Sequence, residues 1–114
     1  MTIFAIIGSR TFDDIEYAAN KLDEIISQYD SIVSGGAKGA DSIGAAYADI
    51  NGLPLTVYKP DWKKYGKGAG FIRNKLIIDE CDVVIAFWDG SSKGTKHSIN
   101  LARKSGKEVI ILKP

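Results

Sequence analysis

One cysteine and one histidine in 114 residues leave little material for disulfide or zinc chemistry. A lone Cys81 excludes an internal disulfide framework and any Cys-rich metal site. It precedes an apolar run, where a buried, inert thiol is expected rather than a nucleophile. His97 has no Cys or carboxylate at ligand spacing, so a surface position at the start of a helix is its expected role and no metal is predicted. No apolar run approaches membrane-spanning length, and MTIFAIIGSR has neither a basic n-region nor a small-residue cleavage site. A cytoplasmic protein with no membrane partner is expected. The net charge of +1 argues against an overall cationic coat for nucleic acid.

That small net charge hides an uneven distribution. Residues 59–75 contain Lys59, Lys63, Lys64, Lys67, Arg73 and Lys75 against Asp61, a local net of +5, so the rest of the chain carries −4. Composition is otherwise that of a globular domain, 45% hydrophobic and 25% charged, and the length suits one domain covering 1–114.

Strand-length apolar runs recur at 3–7, 31–34, 53–58, 82–88 and 108–112, each followed by enough chain for a crossover helix. The first intervening segment places Ile15, Ala18, Ala19, Leu22, Ile25, Ile26 and Tyr29 on one helical stripe, with Asp13 and Glu16 as a capping-box pair. Further helices are expected from about Ala40 to Ile50, Gly70 to Glu80 and Thr95 to Lys104. Strands that are nearly all apolar call for a parallel sheet covered on both faces. With right-handed crossovers, the expected fold is a small, doubly wound, Rossmann-like α/β domain with five parallel strands in the order 3-2-1-4-5.

In such folds the ligand lies beyond the carboxyl ends of the strands, where four distinctive loops emerge. They are GSR at 8–10, SGGAKGAD at 34–41, KPDWKKYGKGAG at 59–70 and DGSSKGTKH at 89–97. A glycine-rich turn entering a helix brings backbone N–H groups close to an anion, and the helix terminus adds partial positive charge. Alone, Gly35, Gly36 and Gly39 are equally well explained as a tight turn. Repetition of glycine, lysine and hydroxyl groups in DGSSKGT, with Ser9 and Arg10 in GSR, favours an anion site. Neither GxxxxGK[ST] nor GxGxxG occurs, which excludes a Walker A loop and an ordinary NAD site. The candidate ligand-binding residues are Gly8, Ser9, Arg10, Ser34, Gly35, Gly36, Lys38, Gly39, Asp41, Trp62, Arg73, Asn74, Asp89, Ser92, Lys93, Gly94 and Thr95. The long 59–70 loop is a candidate lid, in which Trp62 and Tyr65 either stack a base or pack on the domain edge. Asp41 and Asp89 read more readily as a helix cap or turn residue than as a catalytic carboxylate reaching in from a neighbouring loop.

GSR, SGGAKGAD, DWKKYGKGAGFIRN and FWDGSSKGTKHSI, in that order, resemble the SLOG superfamily, most closely its YspA-type single-domain branch. The resemblance covers nearly the whole chain and implies a Rossmann-like domain that binds nucleotides or their derivatives. Lonely Guy phosphoribohydrolases and DprA proteins belong to the same superfamily. By resemblance to the former, Arg73 is the candidate catalytic residue, and the position of the family's catalytic Glu falls on Ser98. Serine cannot supply the carboxylate that an oxocarbenium-like centre requires.

Three functions therefore stay open. The first is a binding module that sequesters or senses a small phosphorylated nucleotide, without a cofactor and as a homo-oligomer. The second is an N-glycosidase-like enzyme. The third, ranked last, is a single-stranded nucleic-acid binder.

Overall fold

In the computed structural model, which describes residues 1–36 and 39–113, β1 (Ile3–Gly8), β2 (Ser31–Ser34), β3 (Leu55–Val57), β4 (Val83–Phe87) and β5 (Glu108–Leu112) form one parallel sheet. Its order is β3-β2-β1-β4-β5, as expected. β1 is central and pairs with both β2 (Phe4 beside Ile32) and β4 (Phe4 beside Val83). The order therefore reverses at the β1–β4 seam.

Strand periodicity sorts the core into two layers. Phe4, Ile6, Ile85 and Phe87 face α1 (Ile15–Ile25) and α2 (Ala40–Asn51), meeting Ala18, Leu22, Tyr47 and Ala48. Ala5, Ile7, Val84 and Ala86 face α4 (Ala69–Glu80) and α5 (Lys93–Lys104), meeting Ile77, Ile78, Ile99 and Ala102. Complete burial of Ile6, Leu22, Ile85 and Phe87 contributes about 1.5–3 kcal/mol per side chain. Cys81 is also fully buried, and burial pushes its thiol up to about 11, which keeps it protonated and inert at neutral pH.

Several local expectations are corrected. The N-cap of α1 is Asp14, whose carboxylate accepts from Tyr17 N–H at 3.1 Å, rather than Asp13. The helix stops at Ile25 because Ile26 is extended, so Tyr29 lies beyond it and is exposed, as is Ile15 at its start. The third strand is three residues long instead of six. Leu53 turns into the core and Pro54, which has no N–H to donate, accepts from Ile32 N–H through its carbonyl just before the strand. β3 is an edge strand with Leu55 and Val57 partly exposed, so coverage on both faces holds for β1 and β4 and fails there. The 59–70 loop contains a short helix, α3 (Trp62–Tyr65), capped by Asp61, and a 3₁₀ turn at Gly66–Gly68. α2 ends as expected at Gly52, which adopts the left-handed conformation.

Candidate functional site

The four loops converge at the carboxyl edge of the sheet, and two arginines organise the space between them. Arg73 projects from α4 towards the loop after β2. Its Nη1 donates to the Gly35 carbonyl at 2.8 Å and its Nε donates to the Asn74 side-chain oxygen at 2.8 Å. A Cβ on Gly35 would lie 2.6 Å from Arg73 Nη1 and 2.8 Å from Asp41 Oδ2, so only glycine admits the guanidinium here. Burial lowers the pKa of Arg73; nearby Asp41 opposes that shift and Arg10 adds to it. A group with its pKa near that of arginine stays charged at neutral pH, so the partly buried cation and its neighbour Arg10 repel one another. An anion held between them relieves that repulsion.

Gly39 serves the loop crossing. With φ +76°, it lies so close to the 9–10 segment that a Cβ would sit 2.4 Å from the Ser9 carbonyl oxygen and 2.6 Å from that of Arg10. These contacts are backbone, which cannot swing away. Gly39 therefore holds GSR and the start of α2 together.

Two adjoining cavities share Arg10 and Arg73. The smaller, of about 120 Å³, has Gly8, Asp41 and Asn74 on one side and Ser92, Gly94 and Thr95 on the other. At its α5 wall, the Ser92 and Thr95 hydroxyls lie 3.0 Å apart, and Ser92 Oγ also accepts from Thr95 N–H as the helix cap. A Cβ at Gly94 would meet nothing within 4 Å, which leaves the first turn of α5 open. The larger cavity, of about 550 Å³, is bounded by Gly35, Gly36, Lys59, Pro60 and Trp62. Trp62 is 56% exposed, so its ring is not committed to the core. A third, apolar cavity of about 350 Å³ between α1 and α2 lacks converging cationic groups.

The other candidate residues have different positions. Ser34 is fully buried and its hydroxyl donates to the Asp41 carbonyl at 3.1 Å, a tie from β2 to α2. Asp89 accepts from Ser91 N–H, Ser91 Oγ and Ser92 N–H, bonds that hold its pKa below the usual carboxylate value. It is a turn residue and, with Ser9, borders a separate small cavity. Lys93 is exposed at the first position of α5 and lines neither arginine-bearing cavity. Lys38 lies outside the described residues, as does Ala37, so the middle of SGGAKGAD has no structural account.

Sequence reasoning omitted Ser98, Lys59 and Pro60 from the site. Ser98 borders the small cavity one turn after Thr95, a helical spacing that was available to find it. His97 proves to be only partly exposed, its ring edge-on to Phe71 with centroids 4.6 Å apart. Among the described residues, no group of three His, Cys, Asp or Glu side chains is placed to hold a metal ion, and no helix is long and apolar enough to cross a membrane.

Residues 2–65 match the YspA, cpYpsA-related SLOG family. Gene 61 protein of Mycobacterium phage D29 is 38% identical, with 92% of this chain and 91% of that protein covered. DNA processing protein A (DprA) of Streptococcus pneumoniae superposes with a TM-score of 0.78 at 20% identity over 96% of this chain and 49% of that one. The corresponding protein of Helicobacter pylori, described for its single-stranded DNA binding mode, gives a TM-score of 0.71 at 26% identity over 96% of this chain and 64% of that one. The chain thus spans about half to two-thirds of the DprA chains it resembles.

Proposed function

Because the chain belongs to the YspA, cpYpsA-related SLOG family, we propose that it binds a small phosphorylated nucleotide, or a signalling molecule derived from one, at the carboxyl edge of its sheet. The observation that carries this reading is the placement of Arg10 and Arg73 on both adjoining cavities. The smaller cavity suits a phosphoryl group, with the two guanidiniums opposing its charge and the Ser92 and Thr95 hydroxyls and Asn74 supplying polar contacts. The larger cavity has room for a nucleoside, whose base stacks on Trp62 while Lys59 faces a second phosphate. In this proposal residues 1–114 act as one binding unit, in the cytoplasm and as a homo-oligomer, and sequester or sense the ligand without a cofactor.

Turnover is the alternative. Of the carboxylates considered, Asp41 borders the phosphoryl cavity and Asp89 does not, while Ser98 borders it where Lonely Guy enzymes have Glu. Asp41 sits beside Arg73 and opposes the lowering of its pKa, which suits a supporting electrostatic role.

A single-stranded DNA track is a third reading, favoured by the likeness to H. pylori DprA and by the lysine-rich segment next to the larger cavity. A combined titration separates the three. Calorimetry with nucleoside mono- and diphosphates and dinucleotides should give saturable one-to-one binding with a modest salt dependence and intact ligand on subsequent chromatography. Multiple-turnover release of free base, lost in Arg73→Ala, would establish the enzyme. Affinity that rises with oligonucleotide length and falls steeply with salt would establish the DNA track.

A further inference from the structure

Two apolar faces on opposite sides of the sheet play no part in the arginine-bearing site. On the α1–α2 side, the cavity of about 350 Å³ is a groove lined by Ile15, Ala19, Ile43, Ala46 and Ile50. Ile15 is 68% exposed and Ile50 82%. The Tyr47 hydroxyl donates to Asp23 Oδ1 at 2.7 Å, which ties the two helices together along this groove. On the α4–α5 side, Phe71, Ile72 and Leu76 are exposed along α4, and Tyr65 is exposed on α3. Clusters of large apolar side chains left in water mark association surfaces.

Charge selects what covers them. Residues 13–24 carry Asp13, Asp14, Glu16, Asp23 and Glu24 against Lys21, a net of −4, and all five acidic residues are exposed. Asp49, next to Ile50, adds another exposed carboxylate to the α1–α2 side. The α4 face is bordered instead by exposed Lys63, Lys64 and Lys67, against Asp61 at the cap of α3, while Lys75 pairs with Asp79 at 2.8 Å. None of these four lysines lines either arginine-bearing cavity, so the nucleotide site does not account for them. Either face placed against its own copy sets like charges together, which disfavours a symmetric contact. The acidic groove placed against the basic face sets opposite charges together and buries the apolar residues of both. Shape agrees, because Ile72 and Leu76, four residues apart on α4, form a ridge of the kind that a groove between two helices accepts. We propose that the α1–α2 groove docks the α4 face of a second copy of this chain. The contact is heterologous: each copy offers its groove to one neighbour and its α4 ridge to another, which builds a ring or an open filament. This proposal rests on the homo-oligomer reading and is independent of nucleotide binding.

The test uses two variants, Ile50→Gln in the groove and Leu76→Gln on the ridge, followed by sedimentation and light scattering over a range of protein and salt concentrations. Wild type should self-associate, and less so at high salt. Each variant should weaken association about tenfold or more, the scale of one apolar side chain withdrawn from an interface, and melt near the wild-type midpoint because both positions are exposed. At concentrations where each variant alone is monomeric, their mixture should form a one-to-one dimer, since one supplies an intact ridge and the other an intact groove. Lys64→Glu, on the exposed side of α3, replaces Leu76→Gln if that variant fails to fold. A monomeric wild type would overturn the homo-oligomer reading and this contact with it. An oligomer that survives both folded variants, that is lost in one of them only, or whose two variants stay monomeric when mixed would overturn the heterologous contact alone.

Discussion

Gly35→Ala tests the arginine-bearing site with one methyl group. The backbone at Gly35 is not in the left-handed region, so alanine meets no intrinsic strain. What the new Cβ meets is the ends of two side chains, Arg73 Nη1 at 2.6 Å and Asp41 Oδ2 at 2.8 Å, and both are closer than atoms can remain. The guanidinium can swing away, and its 2.8 Å hydrogen bond to the Gly35 carbonyl is lost. A hydrogen bond from a charged donor contributes about 1.5–3 kcal/mol when buried and less at a half-open site. Replacing glycine where the backbone permits it returns about 0.4–1 kcal/mol through the unfolded chain. Net stability should therefore fall by only about 1 kcal/mol.

Anion binding should suffer more, because Arg73 no longer faces the cavity it shares with Arg10. Loss of one charge-assisted contact weakens binding about tenfold or more. The assay is thermal unfolding with increasing inorganic phosphate or nucleoside monophosphate. A ligand that binds only the folded state raises the midpoint, and a tenfold loss of affinity removes about 1.4 kcal/mol of that stabilisation at saturating ligand. Wild type should show the rise, and Gly35→Ala and Arg73→Ala should both lose most of it. A folded Gly35→Ala protein with the full wild-type response would refute the placement of Arg73 as an anion ligand.

Gly39→Ala should behave oppositely, costing about 3 kcal/mol or more of stability, because its Cβ is driven into the Ser9 and Arg10 carbonyls at positive φ; a denaturant midpoint within error of wild type would contradict this. Arg73→Ala should reduce nucleotide affinity several times more than Lys63→Ala, since Arg73 is anchored on a helix and Lys63 is exposed on α3; calorimetry showing the reverse order would favour the DNA track. Asp30 is nearly buried, and although burial pushes its pKa up, hydrogen bonds from Ser27 N–H at 2.8 Å and Thr2 N–H at 2.9 Å leave it net lowered. Its contribution is therefore fully present above its unfolded value near 3.9 and is lost as pH falls through the lower folded value. Asp30→Asn should lower stability at pH 7 and flatten the acid side of the stability profile below about pH 4, and a profile parallel to wild type there would exclude this role.

The order of elements and the class of fold were legible in the chain because they rest on periodicity. Continuous apolar runs at 3–7 and 82–88 become the buried strands β1 and β4, and helical stripes of the Leu22 and Ile77 kind become the two covering layers. The edge of the sheet was less legible, since LPLTVY reads as a six-residue strand until the neighbouring β2, only four residues long, limits how much of it can pair. The loops with chemical content could also be found locally, because glycine, hydroxyl and basic residues clustered after strands have few other uses. Their division of labour could not. Ser34 and Asp89 carry the same groups as Thr95 and Asp41, yet one bonds inward to the Asp41 carbonyl and the other folds back on Ser91. Gly35 and Gly39 look alike in SGGAKGAD, but one makes room for a guanidinium from 38 residues away and the other for a backbone crossing. Such distinctions depend on which distant atoms come within 3 Å. Only the packed arrangement of the sheet and helices decides that, because a side chain's hydrogen-bond partners are set by geometry in space rather than by spacing along the chain.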